Sequence, residues 1–328
     1  MQALICDQPT GYENLRLGDM PVPEAGPGEV LIEVKAAGMN FADSLMAAGK
    51  YQVKPEPPFV PGLELAGVVA RLGAGVNTGV DGLAIGQRVM AVVDHGAFAP
   101  VATARSADVF PIPDGLDFPQ AAGFPIAYGT SYGALVWKAR LRPGETLLVH
   151  GAAGGVGLTA VEIGKALGAR VIATAGGADK CAIAAAHGAD DIIDYKVEDI
   201  RERVKALTAG RGADVVYDPV GGDTFEASLR AVAWNARLVV IGFAAGKVQQ
   251  IPANILLVKN VDILGFYWGS YRREAPGLLA DSFLALARIA QNGQLRPHVS
   301  HILPLGAWRE GFEALLGRRS TGKIVLTP

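Results

Sequence analysis

The sequence has little cysteine, little excess charge of either sign, and no long apolar run free of turn-forming residues. Its 328 residues include two cysteines, Cys6 and Cys181, too few for a disulfide framework or a four-thiolate zinc site. The 30 basic and 32 acidic residues give a net charge of −2, which argues against a nucleic-acid-binding protein that neutralises phosphates. The uncharged run Phe118–Trp137 is interrupted by Pro119 and Pro125, so it predicts buried helix rather than a membrane span. We therefore expect a cytoplasmic protein with neither a nucleic-acid nor a membrane partner.

Glycine, by contrast, is abundant, with 42 residues, or nearly twice the average share of about 7%. Without a collagen period, this excess marks tight turns and close approaches of the backbone. In the first part of the chain, glycines separate short strand patterns, which favours a β-barrel or a sandwich. The predicted strands here are Val30–Lys35, Leu65–Arg71, Arg88–Val93 and Ala97–Ala104.

From about Phe124 onward, short apolar runs alternate with helical patterns, which predicts an α/β fold with a doubly wound parallel sheet. The length of the chain predicts two domains. We assign residues 1–123 and 267–328 to a discontinuous β domain and residues 124–266 to a Rossmann domain. The predicted strands of the sheet are Thr146–His150, Arg170–Ala175, Asp191–Asp194, Asp214–Tyr217, Leu238–Ile241 and Asp262–Gly265. The predicted helices are Leu158–Leu167, Asp179–His187, Leu278–Gln291 and Trp308–Leu316, and a final strand is Lys323–Leu326.

A glycine-rich loop, residues 151–157, follows the first strand of the predicted sheet. Ala152 stands at the first glycine position of the G-x-G-x-x-G pattern, but the strand before it, the helix after it and a second strand complete the context of a dinucleotide site. Such a loop lets backbone N–H groups at a helix N-terminus approach a pyrophosphate. The residues predicted to contact the cofactor there are Ala153, Gly154, Gly155 and Val156.

The end of the second strand indicates which dinucleotide binds. An NAD site usually presents an acidic residue there for the ribose hydroxyls, whereas this strand is followed by Gly176 and Gly177. The two glycines leave room for a 2′-phosphate, and Lys180 supplies a charge partner, so we predict NADPH. Asp179 is interpreted as a helix cap, with ribose binding in an NAD enzyme as the alternative.

Several segments resemble the zinc-free quinone oxidoreductases, the zeta-crystallin-like branch of the medium-chain dehydrogenase/reductase superfamily. The resemblance lies in Asn40-Phe41-Ala42-Asp43, Gly49-Lys50-Tyr51, the stretch 61–67 that begins Pro61-Gly62-Leu63-Glu64, and the ending that begins Arg318-Arg319-Ser320-Thr321-Gly322-Lys323. It spans nearly the whole chain and implies a Rossmann domain joined to a GroES-like β-barrel domain. The family also implies a homodimer, paired through the edge strand of the Rossmann sheet at residues 260–266.

The resemblance also bears on zinc, because zinc-dependent relatives take a Cys from the first site segment and a His from Pro-Gly-His-Glu. The first segment here carries Met39 and no cysteine, and Leu63 stands at the histidine position. His298 and His301 lack a third ligand in the sequence pattern, and catalytic zinc needs about three. We therefore predict no metal site.

Without a metal, a quinone is a suitable hydride acceptor, because it delocalises the arriving charge onto oxygen and needs only neutral hydrogen-bond donors. The resemblance implies an NADPH-dependent quinone oxidoreductase. An NADPH-dependent reductase of enones or enoyl thioesters remains an alternative. A second alternative, of another class, is a non-catalytic NADPH-binding protein with a structural or RNA-associated role.

The resemblance assigns roles to further residues. Asn40 and Tyr51 are the expected catalytic residues, at the nicotinamide and beside the acceptor oxygen. We interpret Asp43 as a helix cap. The structural alternatives are that Tyr51 packs beside the proline-rich loop and that Asn40 is a turn residue. The remaining residues expected to contact the cofactor are Thr130, Gly176, Lys180, Tyr195, Gly242, Phe243, Tyr267, Trp268 and Arg318.

Overall fold

The computed structural model describes residues 1–78 and 82–328, which form two compact units. The first unit combines Met1–Ile126 with Pro297–Pro328, and the second is Ala127–Arg296. The predicted boundaries differ from these units: residues 267–296 lie in the second unit and residues 124–126 in the first. The reason is packing, since the buried Trp268 ring lies against Gly129 and against Phe283, all within the second unit.

Strands and helices alternate regularly in the second unit, from residue 146 to residue 265. In chain order the strands are β1 (Gln2–Ile5), β2 (Arg16–Asp19), β3 (Glu29–Met39), β4 (Glu64–Leu72), β5 (Arg88–Val92), β6 (Val101–Arg105), β7 (Val109–Pro111), β8 (Thr146–Val149), β9 (Arg170–Ala175), β10 (Asp191–Asp194), β11 (Ala213–Asp218), β12 (Val232–Val240), β13 (Asp262–Gly265), β14 (Val299–Pro304) and β15 (Lys323–Thr327). The α-helices are α1 (Phe41–Ala47), α2 (Phe118–Ala122), α3 (Pro125–Tyr132), α4 (Gly155–Ala166), α5 (Ala178–Ala186), α6 (Ile200–Leu207), α7 (Asp223–Leu229), α8 (Ala253–Lys259), α9 (Tyr271–Glu274), α10 (Pro276–Gln291) and α11 (Trp308–Leu316). A π-helix spans Gly133–Lys138, and short 3₁₀ turns span Tyr12–Asn14, Ser106–Asp108, Trp268–Ser270 and Leu305–Ala307.

The second unit contains a parallel sheet with the strand order β10-β9-β8-β11-β12-β13. Renumbered within the sheet, this order is 3-2-1-4-5-6, the doubly wound Rossmann arrangement. The predicted fold class is confirmed. Strand β8 is buried at every position and β9 at all but its first, as expected for parallel strands with helices on both faces. Strand β13 lies at the edge of the sheet, as the sequence predicted.

The first unit is built on antiparallel pairing around the long strand β3. The main path of its sheet is β14-β15-β3-β4-β5-β7, and β6 pairs with the N-terminal half of β3. The register between β3 and β4 is irregular at two points, and β3 pairs with β6 at Glu29–Glu33 and with β15 at Ala37–Met39. Strand β15 thereby brings the C-terminal segment beside the residues that precede α1. Among the described residues, no helix is both long and apolar enough to cross a bilayer.

Candidate active site

The glycine-rich loop leads directly into α4, and its glycines are required by close backbone contacts. A Cβ atom at Gly157 would collide with the carbonyl oxygen of Gly151, and one at Gly154 would lie 3.2 Å from the same oxygen. Gly154 is the N-cap of α4, and no side chain from the described part of the chain caps this helix. Since the first N–H groups of a helix need an acceptor, the half-buried backbone at residues 154–156 fits a phosphate group.

Buried hydroxyl groups form hydrogen bonds to the backbone of this loop at Val156. Ser131 Oγ donates to the carbonyl of Val156 at 2.9 Å and lies 2.9 Å from the hydroxyl of Tyr217. Thr159 Oγ1 also donates to Val156 O at 3.1 Å. The predicted contact residue Thr130 neighbours Ser131 on α3 and is itself buried. The sequence analysis did not identify Ser131, because a serine in an apolar helix gives no sign of its distant partners.

The end of β9 lies beside the end of β10. The ring of Tyr195 covers Gly176 so closely that a Cβ atom there would lie 2.5 Å from the tyrosine oxygen. Gly177 has φ 94° and donates its N–H to Asp194 Oδ1 at 2.9 Å. This and a second backbone donor, the N–H of Lys196, hold the pKa of Asp194 below its ordinary value. Tyr195 thus lies beside Gly176, and both were predicted from the sequence to contact the cofactor.

Two basic side chains belong to this region. Lys180 is half-buried in the first turn of α5, and Lys196 Nζ lies 3.6 Å from the point where a Gly177 Cβ would stand. The sequence analysis missed Lys196, although reading the ends of two neighbouring parallel strands together would have placed it there. The prediction that Asp179 caps α5 is wrong, because Gly177 holds the N-cap position and Asp179 lies in the first turn.

The other residues predicted to contact the cofactor in the second unit occupy different environments. Gly242 packs over Pro219, with a notional Cβ 3.3 Å from its carbonyl oxygen, and Phe243 is 40% exposed beside it. Tyr267 is 41% exposed. Trp268, in contrast, is 5% exposed and packs against α3, so it is part of the core of this unit.

In the first unit, Asn40 and Asp43 form the start of α1. Asn40 is the N-cap, and its backbone N–H donates to Asp43 Oδ2 at 2.7 Å in a capping box. Asn40 therefore holds the cap position that the sequence analysis considered for Asp43. Asp43 is fully buried, and its Oδ1 has no hydrogen-bond partner among the described residues. Burial raises the pKa of Asp43 to about 7, with the charge of Glu64 adding to the rise and the nearby Lys323 opposing it.

A buried ion pair contacts the Asn40 side chain. Lys323 Nζ donates to Glu64 Oε1 at 2.7 Å, to Asn40 Oδ1 at 2.6 Å and to Met39 O at 2.8 Å. Asn40 Nδ2 in turn donates to Glu64 Oε1 at 2.9 Å. Lys323 is 7% exposed and Glu64 is fully buried. The structure thus brings Asn40 together with two charged residues to which the sequence analysis gave no chemical role.

Tyr51 and Arg318 also lie in the first unit. Tyr51 is half-buried and packs against the core of the unit. Arg318 is exposed and follows α11 with φ 55°. Met39 and Leu63, the residues that bear on zinc, are both buried in the same apolar core.

Comparisons with known proteins agree with this architecture. Residues 26–114 match the family model "Alcohol dehydrogenase GroES-like domain", and residues 155–283 match "Zinc-binding dehydrogenase". The chain is 42% identical over 304 residues to a quinone oxidoreductase-like protein 2 homolog of Nematostella vectensis, covering 92% of this chain and 82% of that protein. It is 36% identical to a quinone oxidoreductase of Pseudomonas aeruginosa, covering 97% of each. The crystal structure of Escherichia coli quinone oxidoreductase complexed with NADPH superposes with a TM-score of 0.92 at 31% identity, covering all of both chains.

The chain belongs to the quinone oxidoreductase family. This family lies within the medium-chain dehydrogenase/reductase superfamily, and the resemblance stated from the sequence is confirmed. The chain is therefore an oxidoreductase of that superfamily with a GroES-like domain.

The two histidines that the sequence analysis considered as metal ligands, His298 and His301, lie within hydrogen-bond distance of hydroxyl groups. His298 Nε2 lies 3.0 Å from Thr321 Oγ1, and His301 Nδ1 lies 2.8 Å from Ser300 Oγ. Over residues 1–78 and 82–328, no group of three or more His, Cys, Asp or Glu side chains is arranged to hold a metal ion.

Proposed function

We propose that this protein is an NADPH-dependent quinone oxidoreductase that transfers hydride without a metal. The observation that carries the proposal is the pair of glycines after β9, with Lys180 and Lys196 close by, next to the uncapped start of α4. These two features would hold the 2′-phosphate and the pyrophosphate of NADPH, respectively. The complexes of related quinone oxidoreductases with NADPH support this assignment.

Bound NADPH would supply a hydride, and the protein would orient the acceptor and stabilise the charge that develops on its oxygen. Reduction of a quinone takes up this hydride and one proton and gives a hydroquinone. The Asn40 amide and the Tyr51 hydroxyl are the neutral donors proposed for that oxygen. The charge of Lys323, fixed against Glu64 and Asn40, would repel a divalent cation at these side chains, which supports the metal-free proposal.

Substitution of Lys180 tests the cofactor preference. Because Lys180 would pair with the 2′-phosphate, Lys180→Ala is expected to raise the Kd for NADPH about tenfold and to leave the Kd for NADH nearly unchanged. Fluorescence titration of the bound nicotinamide measures both constants. Lys35→Ala, at an exposed lysine in the first unit that pairs with Glu33, is the matched control. Equal effects of Lys180→Ala on both cofactors would contradict the assignment.

An acceptor panel tests the substrate class. We expect NADPH oxidation to be fastest with quinones, slower with alkenals, and slowest with enoyl thioesters. Turnover of alkenals or enoyl thioesters that exceeds quinone turnover by orders of magnitude would favour the reductase of enones instead. Stoichiometric NADPH binding with no turnover of any acceptor would favour the non-catalytic alternative.

We also propose a cytoplasmic homodimer that pairs through β13. This strand lies at the edge of the sheet, and an open edge is normally paired or covered. Nearby in sequence, Leu257 and Val258 on α8 are 80% and 78% exposed. Light scattering after size exclusion at micromolar concentration should give twice the monomer mass of 34.1 kDa. A monomer under those conditions would contradict the dimer, and cell fractionation tests the compartment.

A further inference from the structure

The contacts of the Asn40 side chain fix which way its amide points. Lys323 Nζ can only donate, and it contacts Asn40 Oδ1 at 2.6 Å. The Glu64 carboxylate accepts a hydrogen bond from Asn40 Nδ2 at 2.9 Å. A flipped amide would place its N–H groups against the ammonium and its oxygen against the carboxylate, so both contacts would become repulsive.

The two charged residues are themselves held in place. Lys323 has three N–H groups, and each has a partner: Met39 O, Asn40 Oδ1 and Glu64 Oε1. The second carboxylate oxygen of Glu64 accepts from the backbone N–H of Ile126 at 2.9 Å. Gly38 lies directly against the carboxylate, because a Cβ atom there would stand 2.6 Å from Glu64 Oε1. The ion pair is therefore a buried, fully hydrogen-bonded support for the half-buried Asn40 amide.

Asn40 retains hydrogen-bonding capacity for a ligand. Its second Nδ2–H has a contact of 3.5 Å to Gly38 O, which exceeds the usual range of about 2.7–3.2 Å for such bonds. Asn40 is also half-buried rather than enclosed. Hydrogen bonds that share a group polarise one another. The Lys323 ammonium bound to Asn40 Oδ1 therefore strengthens the Asn40 amide N–H as a donor.

We propose that Lys323 and Glu64 are positioning residues that orient and polarise the Asn40 amide, so that its second N–H donates to the carbonyl oxygen of the acceptor. The donation to an acceptor carbonyl rests on the proposed function. The orientation of the Asn40 amide does not depend on the proposed function. Lys323 acts through Asn40 and does not itself touch the acceptor. The loss of Lys323 should therefore matter only when Asn40 is present.

A double-mutant cycle on the full chain tests this dependence. Lys323→Met is expected to lower kcat for quinone reduction about 10-fold and Asn40→Ala about 100-fold, the order of an oxyanion donor, with the KM for NADPH nearly unchanged in both. The double variant should match Asn40→Ala alone. Losses that multiply to about 1000-fold would overturn the proposal, because Lys323 would then act independently of Asn40.

Removing one member of a buried ion pair can prevent folding, so a charge-neutral pair of substitutions accompanies the cycle. Glu64→Gln with Lys323→Met removes both charges at similar volume. This variant is expected to remain folded and to show the same roughly 10-fold loss of kcat. Full wild-type kcat in the folded variant would also overturn the proposal.

A spectroscopic measurement separates this inference from the proposed function. The side-chain amide resonances of Asn40 in ¹H–¹⁵N spectra are identified by their absence in Asn40→Ala. They should shift and lose protection from hydrogen exchange in the charge-neutral variant, while those of the exposed Asn14, which donates to Thr10, stay unchanged. If the protein reduces no acceptor, the proposed quinone reductase function fails, but the spectra still determine the orientation of the Asn40 amide. Unchanged Asn40 resonances would overturn the proposal.

Discussion

Replacing Asp43 with asparagine should remove a pH-dependent loss of stability from the first unit. Asp43 is fully buried, and its pKa in the folded protein is raised from 3.8 to about 7. Between these two pH values the folded state holds a proton that the unfolded state has released. The free energy of unfolding therefore falls as pH rises from about 4 to 7, and the loss is complete above pH 7.

The magnitude follows from the difference between the two pKa values. About three pH units at 1.36 kcal/mol each amount to roughly 4 kcal/mol. An asparagine side chain is neutral at every pH, so Asp43→Asn should lack this dependence while it keeps an acceptor for the N–H of Asn40. The variant is expected to gain stability relative to wild type as pH rises from 5 to 8.

Hydrogen exchange measured by mass spectrometry on peptides from β3 reports on this unit directly. After correction for intrinsic exchange rates, the difference in opening free energy between variant and wild type should change by up to about 3 kcal/mol from pH 5 to 8, because about two of the three pH units lie in this range. Asp19→Asn, at an exposed carboxylate in the same unit, should show no such change. A constant difference between Asp43→Asn and wild type would refute the reasoning.

Three further substitutions address the second unit. Gly157→Ala should weaken NADPH binding more than about 10-fold. The added Cβ would force the Gly151 carbonyl out of the loop and displace the helix N-terminus that is proposed to face the phosphate. Gly277→Ala, where an added Cβ meets nothing within 4 Å, is the control in the same titration. Lys196→Ala should raise the Kd for NADPH several-fold and leave that for NADH nearly unchanged, and an equal effect on both would contradict its assignment to the 2′-phosphate. Burial lowers the pKa of His150 below its ordinary 6.5. As pH falls, the unfolded state therefore takes up a proton before the folded state does. The opening free energy of β8 should accordingly fall as pH drops below 6.5. His150→Gln should lack that fall in hydrogen exchange, and a fall of equal size in the variant would contradict the explanation.

The sequence predicted well the features that depend on local pattern. Strands β9, β10 and β13 have the bounds that were predicted from the sequence, because a short apolar run marks each of them. The glycine after α4, Gly168, has φ 79°, as its position after a helix indicated. The glycine-rich loop before α4 was likewise visible in the sequence, since its glycines lie within seven consecutive residues.

Features that depend on distant partners were not predictable in the same way. Lys323 and Glu64 are 259 positions apart, and only the pairing of β15 with β3 brings the lysine beside Asn40. In the sequence alone, Lys323 is one cation at the start of an apolar strand. The boundary of the second unit was also missed, because the fit of Trp268 against Gly129 is a contact between segments that no periodicity records.

NADPH oxidation by the chelator-treated wild-type protein, with 1,4-benzoquinone as the acceptor, tests the central claim most directly. Metal-free hydride transfer to a quinone predicts steady turnover that requires the quinone, yields one hydroquinone for each NADPH oxidised, and is unchanged by added zinc. An enzyme that binds NADPH but leaves the quinone unreduced, or that gains activity only with zinc, would contradict it.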